Sequence, residues 1–281
     1  MFDPCAECGH FETLVHSCPG PIVSDIDALV FMRGIESNSV ELVLTDPPFY
    51  GIVGDGWDNQ WSSVEAYGAW LCTVLSEVKR VLTPNGSALI FHCVGKHGHH
   101  PIFDLITSAE RLGLFYRNWL TWRKRRGYGK SHDYIFVREE ILWFSKSHER
   151  TEVIFDKPYT DIVRGYKGFN EKYPAHSDFK RVGNVFVDDF DYDDPIIVEG
   201  ELMKPERTAQ KPPKLIERLV KAHSRPKDRI IDPFVGWGST GIGAIENDRL
   251  FAGSEAIAKD AYDANKRCID ARLRALGRAN L

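Results

Sequence analysis

Residues 42–51 have the sequence Leu42-Val43-Leu44-Thr45-Asp46-Pro47-Pro48-Phe49-Tyr50-Gly51, an apolar segment that ends in a carboxylate, two prolines and two aromatic rings. The apolar run at residues 40–44 predicts a buried strand. The prolines fix the backbone angle φ and remove two N–H donors, so the strand ends there. They hold Asp46 and Phe49 at the carboxyl end of the strand, where open α/β sheets place their chemistry. A lone Asp-Pro-Pro indicates only a turn, but residues 51–61, rich in Gly, Asp and Trp, indicate a loop beside a site.

A second predicted strand ends in a run of glycines. Residues 232–241 are Asp232-Pro233-Phe234-Val235-Gly236-Trp237-Gly238-Ser239-Thr240-Gly241 and contain the spacing Gly-x-Gly-x-x-Gly. Glycines let the backbone turn tightly and approach a ligand, and the start of the following helix offers N–H groups to an anionic part. Glu255 ends the next predicted strand and is placed to accept hydrogen bonds from both hydroxyls of a ribose. These features predict a site for a nucleoside-containing cofactor.

Two other interpretations of the glycines stay open. A structural turn explains the glycines but not Glu255. Binding of NAD or FAD would place the acid about twenty residues after the glycines and would usually place the glycines near the N-terminus, whereas Glu255 follows Gly241 by fourteen residues. A nicotinamide- or flavin-dependent oxidoreductase is therefore kept as an alternative function.

Three motifs together resemble those of DNA amino-methyltransferases, which methylate exocyclic amino groups of bases. Asp46-Pro47-Pro48-Phe49 resembles the family's Asp-Pro-Pro-Tyr/Phe motif, residues 232–238 resemble its S-adenosylmethionine motif, and Gln210-Lys211-Pro212 resembles the element that precedes the latter. The catalytic motif comes before the cofactor motif, which is similar to the order in the beta class. The resemblance covers roughly residues 22–150 and 207–275. It implies an α/β, doubly wound, mostly parallel, Rossmann-like methyltransferase sheet with permuted motif order and an inserted recognition segment.

The resemblance implies a catalytic group made of Asp46, Pro47, Pro48 and Phe49. An aromatic amine is a poor nucleophile because its lone pair is delocalised into the ring. Asp46 and the carbonyl of Pro47 can accept the two amino hydrogens and direct the lone pair at the sulfonium methyl. A base inside a duplex cannot reach such a site, so it would be flipped out and stacked on Phe49.

The resemblance also implies the target base and the cofactor. Asp before Pro-Pro favours N6 of adenine over N4 of cytosine within the family, and cytosine stays the near alternative. S-adenosyl-L-methionine would be bound by a pocket formed by Asp46, Lys211, Asp232, Phe234, Gly236, Gly238, Thr240 and Glu255.

A cluster of positive charge predicts contact with double-stranded DNA. The net charge of the chain is −4, yet residues 111–138 carry eight Lys or Arg against one acid, Asp133. Such a run can neutralise phosphates beside a flipped base, whereas a solvated loop and a non-catalytic DNA-binding module are the alternatives. The candidates for DNA contact are Arg123, Lys124, Arg125, Arg126 and Lys130, together with Tyr50.

Apolar spacing predicts the elements around these motifs. Helices are expected at residues 64–82 and 102–112, with a turn at residues 83–86 and a strand at residues 87–93. Further strands are expected at residues 115–122 and 140–144. The chain divides into a Cys/His segment (1–21), a catalytic half (22–149), a target-recognition insertion (150–206) and a cofactor-binding half (207–281).

The N-terminal segment is a weak zinc candidate. Cys-x2-Cys-x-His and His-x-Cys occur within fourteen residues, and the ligands would be Cys5, Cys8, His16 and Cys18. The alternative is a flexible N-terminus with incidental thiols, because the second pair does not have a usual finger spacing. Zinc is therefore not the favoured expectation.

Composition predicts a soluble, cytoplasmic protein. The chain has 281 residues, of which 43% are hydrophobic, as in a folded domain. No stretch approaches the length of a membrane span, and residues 1–5 do not resemble a secretory signal. The remaining cysteines are expected to be reduced thiols. The resemblance admits a homodimer and a cognate restriction endonuclease as partners, in a bacterial, archaeal or phage setting.

Overall fold

The computed structural model describes residues 22–51, 56–94, 100–128, 131–132, 134–163, 177–186, 196–198, 201–203 and 210–279. For residues 125–128, 196–198, 201–203 and 278–279 it describes the backbone alone. The strands in these ranges are β1 Val23–Ser24, β2 Val40–Thr45, β3 Leu82–His92, β4 Phe115–Tyr128, β5 Phe136–Ser145, β6 Tyr159–Val163, β7 Phe179–Arg181, β8 Val185–Phe186, β9 Ile196–Val198, β10 Glu201–Met203, β11 Arg229–Asp232 and β12 Leu250–Ser254. The helices are α1 Ala28–Arg33, α2 Val64–Val81, α3 Pro101–Arg111, α4 Pro213–His223, α5 Ser239–Glu246 and α6 Ala258–Ala279.

Eight strands form one sheet in the order β1-β12-β11-β2-β3-β5-β4-β8. Neighbouring strands are parallel from β1 through β3 and between β4 and β8, whereas β5 runs antiparallel to both β3 and β4. Five of the six residues of β2 are buried, as expected for a strand that is covered on both faces. The predicted doubly wound, mostly parallel α/β sheet is confirmed.

Helices cover both faces of the sheet and divide the core into two clusters. α1, α2 and α3 pack on one face, where Leu75 and Val78 of α2 are fully buried. α4, α5 and α6 pack on the other, where Leu219 and Ala264 are buried. Apolar residues that recur at three- and four-residue spacing give each helix one buried face.

The turn predicted at residues 83–86 is a bulge inside β3. Val40 pairs with Leu82 and Leu42 pairs with Ser87, so residues 83–86 lie opposite the single residue Glu41. A Cβ on Gly86 would lie 3.0 Å from the carbonyl oxygens of Val40 and Glu41, a contact that only glycine avoids. The turn chemistry is thus used to bend a strand.

The β4–β5 hairpin is longer than the strands predicted from the sequence. β3 ends at His92, which pairs with Glu140, whereas β4 and β5 remain paired as far as Tyr128 and Phe136. The sequence predicts a strand that ends at residue 122, but the backbone of the basic run continues β4 to Tyr128. The hairpin therefore projects past the edge of the sheet at which β2 and β3 end.

The described parts of residues 150–206 add small ladders to this frame. β6 pairs with β7 and β9 pairs with β10, both antiparallel and both outside the main sheet. β8 joins the edge of the main sheet beside β4. The remainder of this segment lies outside the described residues, including the acidic residues 188–194.

The described ranges contain neither a membrane-spanning helix nor a metal-binding group of side chains. No helix there is long and apolar enough to cross a membrane. No group of three or more His, Cys, Asp or Glu side chains in those ranges could hold a metal ion. The zinc candidates Cys5, Cys8, His16 and Cys18 lie outside the described residues.

Candidate active site

The two predicted motifs meet at one edge of the sheet. β2 and β11 are parallel neighbours, with Leu42 opposite Ile230, so their carboxyl ends lie side by side. The Thr45 hydroxyl donates a hydrogen bond of 2.6 Å to Oδ1 of Asp232, and the Phe234 N–H donates one of 3.0 Å to the same oxygen. The end of β2 is thus hydrogen-bonded to the start of the glycine loop.

Asp46 lies at the centre of a buried ionic cluster. Its Oδ2 is 2.7 Å from Nζ of Lys211, and the same ammonium contacts a carboxylate oxygen of Glu139. Nζ of Lys124 is 2.5 Å from the other oxygen of Glu139. These residues come from β2, β4, β5 and the segment before α4. The cluster therefore exists only in the folded chain.

Burial and neighbouring charges shift the pKa values of the cluster in opposite directions. Burial raises the pKa of Asp46 to about 6, although Lys211 opposes the shift. Burial alone would lower the pKa of Lys211, but Asp46 and Glu139 together raise it above its usual value. Burial alone would raise the pKa of Glu139, but Lys211 and Lys124 hold it below its usual range. At neutral pH Asp46 and Glu139 are therefore mostly carboxylates and Lys211 is an ammonium ion.

The carboxylate of Asp46 is not fully satisfied. No described group donates a hydrogen bond to its buried Oδ1. The side chain as a whole keeps 28% of its surface exposed, so a molecule in the cleft can reach it. The buried Oδ1 therefore keeps an unused capacity to accept a hydrogen bond.

The loop after Asp46 is clamped by Asp58, which is fully buried. Oδ1 of Asp58 accepts hydrogen bonds from the N–H groups of Phe49 (2.7 Å) and Tyr50 (2.8 Å). Its carbonyl accepts another from Gly51 at 2.9 Å. The clamp fixes the backbone that carries the two aromatic rings, beyond the two positions that the prolines fix.

Tyr67 of α2 supports the same loop through its hydroxyl group and its ring. Its hydroxyl donates to the carbonyl of Pro48 at 2.9 Å and lies 3.1 Å from Nε2 of His92. The ring of Phe49 lies 5.1 Å from the His92 ring, and the ring of Tyr50 stacks on Tyr67 at 5.4 Å. The contacts continue through Trp61 and Trp70 to Phe234 in the glycine loop. We call this row of rings, from Phe49 to Phe234, the aromatic wall.

The glycine loop has the features required of a ligand cradle. Gly236 has φ +51° and Gly238 has φ +82°, both in the left-handed region that favours glycine. A Cβ on Gly236 would meet no described atom within 4 Å, so one side of the loop is open. Gly241 instead serves packing, since a Cβ there would lie 2.6 Å from the Cys268 sulfur. Nε1 of Trp237, in the loop, is buried without a described hydrogen-bond partner, and so is Oε1 of Gln210, in the segment before α4.

The predicted cofactor acids take defined positions around this loop. Glu255 accepts hydrogen bonds of 3.0 Å from the N–H groups of Gly236 and Ile257. Burial raises the pKa of Asp232 to about 7, although hydrogen bonds from Thr45, Phe234 and Thr240 oppose the shift. Glu255 as the ribose acceptor stays a prediction.

The predicted DNA contacts separate in the structure. Arg123 is exposed on β4, whereas Lys124 turns inward to Glu139. Tyr50 packs in the aromatic wall. The side chains of Arg125 and Arg126 and the whole of Lys130 lie outside the described residues.

Three residues of the site are absent from the sequence-based prediction: Asp58, Tyr67 and Glu139. Alternation along β4 and β5 could have indicated Glu139, because Trp122 is paired with Glu139. Lys124 follows Trp122 by two residues and is therefore diagonal to Glu139 on the same face. No local signal marks Tyr67, which follows the ordinary apolar spacing of α2.

Comparison with known proteins shows that the chain is similar to DNA methyltransferases. The model of the N6/N4 methyltransferase family, described as DNA methylase, matches residues 40–266. The chain is 30% identical over 252 residues to the type II methyltransferase M.BglII from Bacillus subtilis, a match that covers 84% of this chain and 65% of that protein. It is 28% identical over 259 residues to M1.MboII from Moraxella bovis, covering 86% of this chain and 94% of that protein. The match to M.BglII thus spans slightly less than two thirds of that protein.

Solved structures show the same architecture. TTHA0409 of Thermus thermophilus, complexed with S-adenosyl-L-methionine, is 25% identical with a TM-score of 0.56, covering 87% of this chain and 91% of that one. The cytosine-N4-specific PvuII DNA methyltransferase is 19% identical with a TM-score of 0.59, covering 92% of this chain and 95% of that one. The family match disfavours the oxidoreductase alternative. With its motifs joined at one sheet edge and most of its length matched by one family model, the chain belongs to the N6/N4 DNA methylase family.

Proposed function

We propose that this chain is an S-adenosylmethionine-dependent DNA methyltransferase that modifies N6 of adenine. The observation that carries the proposal is the carboxylate of Asp46, partly exposed and short of one donor, at the strand end beside the glycine loop. S-adenosylmethionine, when bound, supplies a methyl group on a sulfonium. The residues of the chain position the amine and the cofactor.

The cofactor half of the site is suited to a nucleoside with a charged tail. The open side of Gly236 admits close approach of a ligand, and the ring of Phe234 offers an apolar surface. Nε1 of Trp237 and Oε1 of Gln210 supply a donor and an acceptor. Glu255 lies at the end of β12, where it can accept hydrogen bonds from ribose hydroxyls while it holds the loop.

The catalytic half acts on the amine. Asp46 and the carbonyl of Pro47 accept the two amino hydrogens, which localises the lone pair on nitrogen and directs it toward the methyl group. As the new N–C bond forms, the S–C bond breaks and its electron pair remains on sulfur. The nitrogen then loses one proton, and the Asp46 carboxylate, as its hydrogen-bond partner, can accept it. Adenine is preferred because Asp precedes Pro-Pro, as the sequence indicated.

Base flipping follows from the position of Asp46. The carboxylate lies at a recessed strand end, which a base inside a duplex cannot reach. Phe49 is the ring on which the flipped base stacks, and the Asp58 clamp holds that ring in place. The β4–β5 hairpin projects on this side with Arg123 exposed, so phosphates beside the flipped base meet positive charge. Residues 150–206 then contribute recognition of the surrounding sequence.

The test uses purified protein, S-adenosylmethionine and unmethylated genomic DNA from a host without methylases. We expect N6-methyladenine by mass spectrometry of the nucleosides, and Asp46→Ala to abolish it while calorimetry still detects cofactor binding through the glycine loop. The matched control is Asp248→Asn, at an exposed turn on the opposite edge of the sheet. N4-methylcytosine as the product would establish the alternative base. Methyl transfer by Asp46→Ala would refute the catalytic role of Asp46. A single-turnover assay without product would identify a non-catalytic DNA-binding module.

A further inference from the structure

Glu139 occupies an unusual place for an acid. It lies on β5 opposite Trp122, and its side chain is only 6% exposed. Its two oxygens contact two ammonium groups, Lys124 at 2.5 Å and Lys211. Burying a carboxylate is costly unless it is paired. The pairing at this position therefore fixes both lysines beside the cleft.

Lys211 lies between two carboxylates. Its Nζ is 2.7 Å from Oδ2 of Asp46 and also contacts Glu139, and the ring of Phe91 lies 4.8 Å away. A lysine ammonium is carried on a flexible stem, so a single partner does not determine its position. Glu139 stands on a strand and is itself held by Lys124. It is the rigid second anchor for Lys211.

We propose that Glu139 is a positioning residue for methyl transfer: it holds the Lys211 ammonium beside Asp46 and shares its charge, which leaves the Asp46 carboxylate oriented and able to accept the substrate amine. This inference rests on the proposed function. Glu139 itself does not touch the substrate. It shares the charge of Lys211, so that Lys211 orients Asp46 without fully neutralising it.

The charges around Asp46 give the sign of each effect. The titratable groups that face it are Lys211 before α4, Glu139 on β5, Lys124 on β4 and Asp232 on β11. Glu139 raises the pKa of Asp46 and Lys211 lowers it. Removing the charge of Glu139 therefore shifts protonation of Asp46 to lower pH, whereas removing that of Lys211 shifts it to higher pH.

The experiment measures methyl transfer to unmethylated genomic DNA as a function of pH, using the full chain and tritiated S-adenosylmethionine. For Glu139→Gln we expect kcat at pH 8 to fall by about 10- to 100-fold, because Lys211 moves fully onto Asp46. The acid limb of the profile should move to lower pH. For Lys211→Met the acid limb should move to higher pH. Cofactor binding by Glu139→Gln should stay within about twofold of the wild type, since Glu139 touches Asp46 only through Lys211.

The matched control is Glu217→Gln, which removes an exposed acid that pairs with Lys221 on α4. It should leave kcat and the pH profile unchanged. Partial rescue of kcat by Lys211→Arg, relative to Lys211→Met, is also expected because a cation is retained.

Each other outcome overturns the inference. An unchanged profile for Glu139→Gln, or shifts of both variants in the same direction, would show that Glu139 does not act through Lys211. If neither Glu139→Gln nor Lys211→Met folds while Glu217→Gln does, the cluster is a structural ion network and the inference fails. If the wild type itself methylates no DNA, the proposed function fails instead, and the two failures are thus distinguishable.

Discussion

Replacing Asp58 by Asn should release the loop that carries Phe49 and Tyr50. One oxygen of Asp58 accepts both backbone N–H groups at 2.7 and 2.8 Å. A hydrogen bond to a charged group contributes about 1.5–3 kcal/mol and a neutral one about 0.5–1.5. The uncharged amide keeps the shape but weakens two bonds, for a loss of about 2–3 kcal/mol in the closing of the clamp. Since about 1.4 kcal/mol is a factor of ten, the clamp should be open about 30- to 140-fold more often.

Two measurements check this value. Hydrogen exchange at the amides of Phe49 and Tyr50 should accelerate in Asp58→Asn by about that factor. The kcat/KM for DNA methylation should fall by about 10- to 100-fold, with cofactor binding unchanged. Asp248→Asn is the control, since Asp248 has φ +64°, which Asn also tolerates. Unchanged exchange at both amides would refute the clamp, whatever the activity.

Three further outcomes are expected. Arg123 is exposed on the hairpin, so Arg123→Ala should weaken DNA binding and reduce the slope of log binding constant against log salt concentration by about one. Arg225→Ala, at the opposite edge of the sheet, should change neither. An unaltered slope for Arg123→Ala would show that Arg123 does not contact DNA. Gly241→Ala should lower the free energy of unfolding by about 1–3 kcal/mol because its Cβ would meet Cys268 and Phe251 at 2.6 Å, whereas Gly68→Ala in α2 has room and should raise it by about 0.5–1 kcal/mol; equal effects in denaturant titrations would contradict the packing argument. Burial raises the pKa of Asp232 to about 7, so the stability of the wild type relative to Asp232→Asn is highest below about pH 4 and is lost as pH rises through 7. A wild-type melting temperature that does not fall relative to that of Asp232→Asn between pH 4 and pH 8 would contradict that shift.

The parts of the fold that local sequence determines were predicted well. Apolar runs with prolines or glycines at their ends place Asp46 and Gly236 at strand ends, since both features act through the backbone of a few residues. The parallel pairing of β2 and β11 follows from the general topology of such sheets. It brings the two motifs together.

The ionic cluster was not predicted, because it depends on contacts between distant segments. Lys124 lies in a run of four basic residues, and such a run usually indicates a solvated or DNA-facing surface. The prediction ended β4 at residue 122, so the inward alternation at Lys124 was not visible. Glu139 and Lys211 are separated by seventy-two positions, and no spacing rule joins them.

The reversed direction of β5 has a consequence for variation in this protein. Because β5 is antiparallel to β3, its first residues lie at the edge of the sheet where β2 and β11 end. Glu139, near the start of β5, therefore lies on the same side of the sheet as Asp46. The outer hairpin can therefore change in length without displacing Glu139, provided that Trp122 stays opposite Glu139. A slip of one residue at that pair would turn the acid to the other face of the sheet and separate it from the chemistry.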